Sequence, residues 1–214
     1  MLKENYLSIL KTFFIALIFL VVGSIIGVRF IPATFRYVLN IAFFIVVLFS
    51  AFSKRGGFIR NKTSMYIYAL ILGILTGSTY IYYFVRLGPE IFISCVVGVL
   101  LIFAFAYFFA LRASEEKIMR LSPIITGGIF ALIILEFINI FFFKFGLYDL
   151  LLSTGGILIY SFYAIYIMKS IQNRCRYGRL SEGEIVALSY SVFISFLNLL
   201  LDLLRFVSII SDDN

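Results

Sequence analysis

Five polar residues recur along one face of the last apolar segment of the chain: Ser191, Ser195, Asn198, Asp202 and Arg205. They are four, three, four and three residues apart, which matches the α-helical repeat, and apolar residues occupy the positions between them. An ionised side chain at the centre of a bilayer costs about 2.5–3.5 kcal/mol even on lenient insertion scales, so such groups pair or line a wet cavity. The stripe is therefore expected to face inward. It is either a structural hydrogen-bond seam or the wall of an ion or ligand path, and both interpretations stay open.

Three more polar residues lie in other apolar segments. Glu136 and Asn139 are one helical turn apart in LEFINIFF, and Asn40 lies in YVLNIAFF. A lone glutamate flanked by leucine and phenylalanine is expected either to hold a proton more readily or to have a cationic partner. Arg205 is the nearest candidate partner by depth in the membrane. We hypothesise that Arg205 interacts with Asp202, with Glu136 or with both, and that these residues form a polar centre.

Several reaction classes are excluded by residue type. The chain has no histidine, so it lacks the commonest metal ligand and the usual general base near neutral pH. The run from Glu115 and Glu116 to Arg120 matches a pattern of membrane proteases, but that pattern also requires histidines. The last segment has no lysine for a retinal Schiff base. We expect neither an enzyme nor a bound cofactor.

The composition places these residues in a membrane. Of 214 residues 63% are hydrophobic and 14% are charged, with a mean hydropathy of +1.09. The net charge of +7 comes from short basic clusters between apolar runs and not from one basic face, so we expect the lipid bilayer, and no nucleic acid, as a partner. The sequence predicts an all-α polytopic membrane protein with a single domain over residues 1–214.

Apolar runs of about 20 residues predict seven membrane spans. They lie near residues 12–30, 35–52, 64–85, 91–111, 123–143, 147–168 and 185–208. Their starts are best defined at Ser122-Pro123, where a cap precedes a first-turn proline, and at Ser181 and Glu184, which have capping-box spacing.

The basic residues predict the orientation of these spans. Connections 1–11, 53–63, 112–121 and 169–184 carry most of them, whereas the opposite side holds Arg29, Arg36, Arg86, Lys144 and Arg205. The positive-inside rule then puts the N-terminus in the cytoplasm and the C-terminus on the far side. The glycosylation-like triplet at Asn61 falls on the cytoplasmic side, where we interpret it as a chance match.

Small residues indicate where the helices pack closely. Gly23 and Gly27 in the first span, and Gly73 and Gly77 in the third, have the four-residue spacing of close helix contacts. The pairs Gly127-Gly128 and Gly155-Gly156 place small surfaces on the fifth and sixth spans. Cys95 lies in a span and Cys175 in a predicted basic loop, so we expect no disulfide between them.

The whole chain resembles the Bax inhibitor-1 family, particularly its small bacterial members. The resemblance is carried, in order, by GSIIGVRFIP, LILGILTGSTYIYY, LEFINIFF, GGILIYSFYAIYIMKSI, ALSYSVFISFLNLLLDLLRF and the acidic tail SIISDDN. It implies a seven-helix bundle, a bacterial plasma membrane and an association with calcium leak. It also implies a pair of aspartates, on the sixth and seventh helices, that gate the bacterial proteins by protonation.

This sequence departs from the family at both aspartates. The Tyr-Asp motif aligns with Tyr166-Ile167, or with a shift near Ser170, and the Leu-Asp-Phe motif aligns with Ile194-Ser195-Phe196. Neighbouring carboxylates share protons and supply the oxygen ligands that calcium prefers, which serine hydroxyls do poorly. If calcium passes, Asp202 and Glu136 are the candidate ligands, and we expect altered or absent pH gating. A non-conducting membrane interaction protein of the same fold, with an unknown protein partner, is the alternative.

Overall fold

A computed structural model of the chain describes residues 2–32, 61–142, 146–176 and 178–212, together with the single positions 35, 38, 39 and 59. Within these residues all regular structure is helical. The helices are α1 (Leu2–Phe30), α2 (Lys62–Leu87), α3 (Pro89–Arg112), α4 (Glu115–Met119), α5 (Ser122–Phe142), α6 (Gly146–Arg176) and α7 (Glu182–Asp212).

Six stretches of the described chain are long and apolar enough to cross a membrane. They are Lys3–Phe30, Lys62–Leu87, Pro89–Arg112, Glu115–Glu136, Tyr148–Arg176 and Glu182–Ser211. Each overlaps one predicted span. The predicted second span, residues 35–52, lies outside the described residues, as does Asn40. The seven-span count therefore stays a prediction.

Two helices extend furthest beyond their predicted spans. α1 begins at Leu2, although residues 1–11 were expected to be a connection, and α6 continues to Arg176 through residues assigned to a basic loop. A helix satisfies its own backbone hydrogen bonds, so it does not have to end where the hydrocarbon ends. Charged residues mark the membrane boundary and not the helix boundary. Cys175 accordingly lies in the last turn of α6, where it is buried and free, and not in a loop.

Side-chain caps fix where two of the helices start. At α7 the predicted capping box is confirmed: the Ser181 backbone N–H donates to the Glu184 carboxylate, and the Glu184 N–H donates to the Ser181 hydroxyl at 3.3 Å. At α2 the Asn61 side-chain oxygen accepts the N–H of Ser64 at 2.8 Å. The Asn61 side chain thus has a structural role at the glycosylation-like triplet.

The described residues divide into two compact units. The first unit takes its residues from Met1–Tyr82 and Tyr177–Phe193. In it, α1 and α2 approach at the predicted glycines. A Cβ added at Gly27 would lie 2.7 Å from the Cα of Ile74, and one added at Gly77 would lie 2.7 Å from the Cβ of Ser24. No larger side chain fits between backbones this close, so the glycines hold the seam between the two helices.

The second unit takes its residues from Tyr83–Arg176 and Ile194–Asn214. Here α6 packs against both α3 and α5. Val99 of α3, Ala164 of α6, and Leu199 and Leu204 of α7 are fully buried. In the most apolar part of α7 half of the residues are buried, whereas in the other five described stretches at most a third are buried. The helix with the polar stripe is therefore the most enclosed of the six, as a polar stripe in an apolar solvent requires.

Candidate functional site

Arg205 joins two carboxylates in the second unit. Its Nη1 donates to the Glu136 Oε1 at 3.2 Å and lies 3.9 Å from the Asp202 Oδ1. The Asp202 side chain is 7% exposed, that of Arg205 is 22% exposed, and that of Glu136 is 44% exposed. The interaction hypothesised from the sequence is thus present with both acids. We call these three residues the polar centre.

Two features of the sequence bring the three residues of the polar centre together. Asp202 and Arg205 are three residues apart, so they lie on the same face of α7 and pair within the helix. Glu136 comes from the last part of α5, where its carboxylate lies within hydrogen-bond distance of Arg205. Removing charges from water is costly, and a cation between two anions offsets part of that cost.

A glycine on α6 makes room for the Asp202 carboxylate. A Cβ added at Gly156 would lie 2.6 Å from the Cγ of Asp202 and closer still to one carboxylate oxygen. Gly156 was predicted as a packing surface, and its packing partner is this ionisable group. At neighbouring Gly155 a Cβ would meet only the Cδ2 of Leu132, at an ordinary 3.8 Å.

Two tyrosines complete the surroundings of the polar centre, and sequence reasoning missed both. Tyr160, one turn after Gly156 on α6, is 9% exposed and interacts electrostatically with Asp202 and Glu136. Tyr83 interacts electrostatically with Arg205. Tyr160 shares a helix face with Gly156 at a spacing of four, which is the signal that could have found it.

The rest of the stripe is less uniform than its spacing suggests. Ser195, at the position of a family aspartate, is fully buried, and its hydroxyl has no hydrogen-bond partner among the described residues. Asn198 is partly buried. Ser191 belongs to the first unit, where its hydroxyl donates to the Ala187 carbonyl one turn earlier in the same helix. Among the described residues of the predicted site, the structure therefore brings together only the charged ones.

A further carboxylate, Asp149 in the first turn of α6, was missed by sequence reasoning. The Asn139 side-chain nitrogen donates to the Asp149 Oδ1 at 2.6 Å, which ties the end of α5 to the first turn of α6. The side-chain oxygen of Asn139 is buried and has no hydrogen-bond partner among the described residues. Asp149 follows Asn139 by ten residues across a short connection, so the pair could have been inferred from the hairpin.

Lys169 corrects the assignment of residues 169–184 to a loop. It lies within α6, is 4% exposed, and its Nζ donates to the Ala110 carbonyl at 2.9 Å and to the Ala113 carbonyl at 2.6 Å. These carbonyls lie at the C-terminal end of α3, where a helix carries partial negative charge. One turn earlier in α3, the carbonyl of Tyr107 accepts a hydrogen bond from the Gln172 side chain at 3.2 Å. The lysine fastens α6 to α3.

The protease-like run from Glu115 has a structural explanation. Glu115–Met119 forms the short helix α4, and the Arg120 guanidinium pairs with the Glu116 carboxylate at 2.6 Å. Both side chains are more than three-quarters exposed. This is an ordinary surface ion pair at helical spacing, and it makes Glu116 a useful control for experiments on Glu136.

The polar centre is suited to charge compensation, and its two carboxylates are too few to hold a metal ion permanently on their own. Calcium takes six to eight oxygen ligands. In the described part of the chain there is no group of three or more histidine, cysteine, aspartate or glutamate side chains that could hold a metal ion. The two carboxylates already interact with Arg205, so any cation that approached them would compete with the guanidinium.

These features define a multi-pass helical membrane protein in which α7 and α5 share a partly buried ion-pair cluster. The family model described as inhibitor of apoptosis-promoting Bax1 matches residues 2–212. The chain therefore belongs to the Bax inhibitor-1 family.

Proposed function

We propose that this protein is a cation channel or leak of the Bax inhibitor-1 type, with calcium as the transported ion and the polar centre as the control point of its path. The observation that carries the proposal is the position of the Arg205 guanidinium, bonded to Glu136 and close to the buried Asp202. Intramembrane acids and bases of this kind usually lie along ion pathways. Family membership supports the same class of function.

The geometry supports a specific role for Arg205. Its guanidinium takes the place that a permeating cation would need beside the two carboxylates, so it acts as a tethered competitor. Conduction then requires the guanidinium to move, or a divalent ion to displace it. Charge neutralisation at Arg205 is expected to increase flux, whereas neutralisation of either carboxylate is expected to decrease it.

The proposal includes altered or absent pH gating. The family's gating aspartates correspond to Ile167, or a residue near Ser170, and to Ser195, and none of these side chains titrates as a carboxylic acid. Ser195, at the position of the second gating aspartate, is fully buried and carries a hydroxyl in place of a carboxylate. The two acids of the polar centre, Asp202 and Glu136, both interact with the Arg205 guanidinium and are not paired directly with each other.

We further propose the arrangement predicted from the sequence: seven spans, a cytoplasmic N-terminus, a C-terminus on the far side and a bacterial plasma membrane. The chain is proposed to lack enzymatic activity and to need no cofactor. Attachment of a membrane-impermeant thiol reagent to single cysteines introduced at positions 3 and 211 tests the orientation. Labelling of both from the same side contradicts an odd number of spans.

Calcium flux through purified protein in liposomes tests the function. Protein-containing and empty liposomes are loaded with a calcium indicator and compared at acidic and neutral pH. The proposal predicts flux above that of empty liposomes, with little change between the two pH values. Absence of flux at both values overturns the channel assignment, and a steep increase on acidification overturns the claim about gating.

A non-conducting interaction protein of the same fold is the second candidate. It is favoured by the same ion pairs, because Arg205 already neutralises much of the charge that a cation would need. In that case the polar centre is a structural element that fixes α5, α6 and α7. Crosslinked protein partners in the absence of any calcium flux would support this candidate.

A further inference from the structure

The first turns of α1 present two different faces. Asn5, Ile9 and Thr12 are buried, whereas Lys3, Leu7, Leu10, Lys11 and Phe14 are exposed on the opposite side. The exposed residues fall within roughly 100° of arc on an α-helix. We call this set the outer stripe. A strip of exposed leucines flanked by lysines is complementary to a surface that is apolar and carries negative charge.

The outer stripe continues along the whole of α1. Ile18, Val21, Ile25 and Val28 extend the same exposed face, and each is 37–61% exposed. From Leu7 to Val28 the face is about 32 Å long at the helical rise, close to the roughly 30 Å thickness of the hydrocarbon core. The apolar face therefore matches one bilayer crossing that begins at Leu7, about one turn before the predicted start at residue 12.

A bilayer crossing that begins at Leu7 places Lys3 and Lys11 at the boundary of one leaflet. Lys3 lies one turn outside Leu7, and Lys11 lies one turn inside it. A lysine at that depth extends its ammonium along the helix to the headgroups while its methylenes stay in the apolar region. Glu4 at the edge of the stripe leaves residues 2–11 with a net charge of +1. Phospholipid phosphate is the anion available at this level.

The inner face of the same turns holds the connection between α6 and α7. The Asn5 side-chain nitrogen donates to the Gly178 carbonyl at 2.7 Å, and its oxygen accepts the Leu180 N–H at 3.3 Å. Asn5 is 3% exposed. Further along, the Ser189 hydroxyl donates to the Ile9 carbonyl at 3.1 Å. One short helical segment thus has an exposed face on one side and contacts the loop on the other.

We propose that the first turns of α1 bind anionic phospholipid through Lys3 and Lys11 and thereby stabilise the loop that joins α6 to α7. The lysines anchor the outer stripe at the phosphate level, the leucines insert below it, and Asn5 transmits the anchoring to the loop. This proposal concerns the first unit and does not depend on whether the protein conducts ions.

Hydrogen exchange of the loop in two kinds of nanodisc tests the proposal. The full-length protein is placed in discs of phosphatidylcholine alone or with added phosphatidylglycerol, and exchange of a peptide covering residues 178–185 is followed by mass spectrometry. A lysine near an anionic surface changes a binding equilibrium about fivefold. We expect slower exchange in the anionic discs, by up to about 25-fold for the two lysines.

Matched variants separate the two halves of the proposal. The double variant Lys3→Gln/Lys11→Gln is expected to abolish the difference between the two lipids, whereas Arg29→Gln, at the other end of α1, is expected to retain it. Asn5→Ala is expected to speed exchange in both lipids. Equal exchange of the unmodified protein in both discs, or a lipid effect that survives the double variant, overturns the lipid site. Unchanged exchange in Asn5→Ala overturns the coupling.

Discussion

Gly156→Ala is the smallest substitution that disturbs the polar centre without removing any of its charges. The added Cβ would lie 2.6 Å from the Asp202 Cγ, whereas ordinary contact begins near 3.4 Å, so the carboxylate has to retreat by at least 0.8 Å. Asp202 is buried, and Arg205 already lies 3.9 Å from its Oδ1. Overpacking of this kind typically costs about 1–3 kcal/mol. Alanine is favoured over glycine in a helix by about 0.5–1 kcal/mol, which offsets part of this cost. We therefore expect the free energy of unfolding to fall by up to about 2.5 kcal/mol and calcium flux to decrease.

Gly155→Ala is the matched control for this prediction. It makes the same chemical change one position earlier, where the new Cβ meets the Leu132 Cδ2 at 3.8 Å. A glycine-to-alanine change in a helix is otherwise favourable by about 0.5–1 kcal/mol. The control is therefore expected to be neutral or stabilising. Both variants can be compared by titrating detergent-solubilised protein with a denaturing detergent and following helicity by circular dichroism.

A double-mutant cycle tests whether the cost really arises at Asp202. If the carboxylate is the obstacle, Gly156→Ala should cost much less in a protein that already carries Asp202→Ala. We expect a coupling of at least about 1 kcal/mol between the two sites, which is within the range for residues in contact. Equal stability of the two alanine variants, or strictly additive effects in the cycle, would refute the placement of Asp202 against α6.

Three further substitutions test the packing and the helix ends. Gly27→Ala should cost about 1–3 kcal/mol because its Cβ meets the α2 backbone, whereas Gly127→Ala, with open space around it, should cost nothing measurable by the same titration. Lys169→Met should lower stability by on the order of 2 kcal/mol because two α3 carbonyls lose a charged donor, and exposed Lys117→Met serves as its control. Ser181→Ala should lose about 1 kcal/mol and speed hydrogen exchange at the start of α7, while Ser181→Thr keeps the cap; equal exchange in both variants would contradict the capping assignment.

The span positions and the glycine seams could be predicted because they depend on short-range rules. About 20 apolar residues cross a bilayer whatever surrounds them, and glycines four apart allow backbones to approach. The capping box at Ser181 is equally local. The inward direction of the stripe follows from the cost of charge in lipid, and it required no knowledge of the neighbouring helices.

The remaining features depend on contacts between distant parts of the sequence. Lys169 was counted with the basic loops because a lysine near a span end normally faces water or headgroups. It is buried because the end of α3, some 56–59 residues earlier, supplies two carbonyl acceptors. In the same way, the spacing of the stripe could not show that Ser191 belongs to a different unit from Asp202, since helical periodicity gives a face but not its neighbour.

Calcium flux through charge-neutralised variants in proteoliposomes tests most directly the claim that the polar centre controls ion passage. Asp202→Asn and Glu136→Gln should each reduce flux, Arg205→Gln should increase it, and Glu116→Gln, which neutralises an exposed ion pair, should leave it unchanged. Each variant is first shown to keep its helicity. If all three polar-centre variants are folded and conduct as the unmodified protein does, the polar centre is structural and the proposed path lies elsewhere.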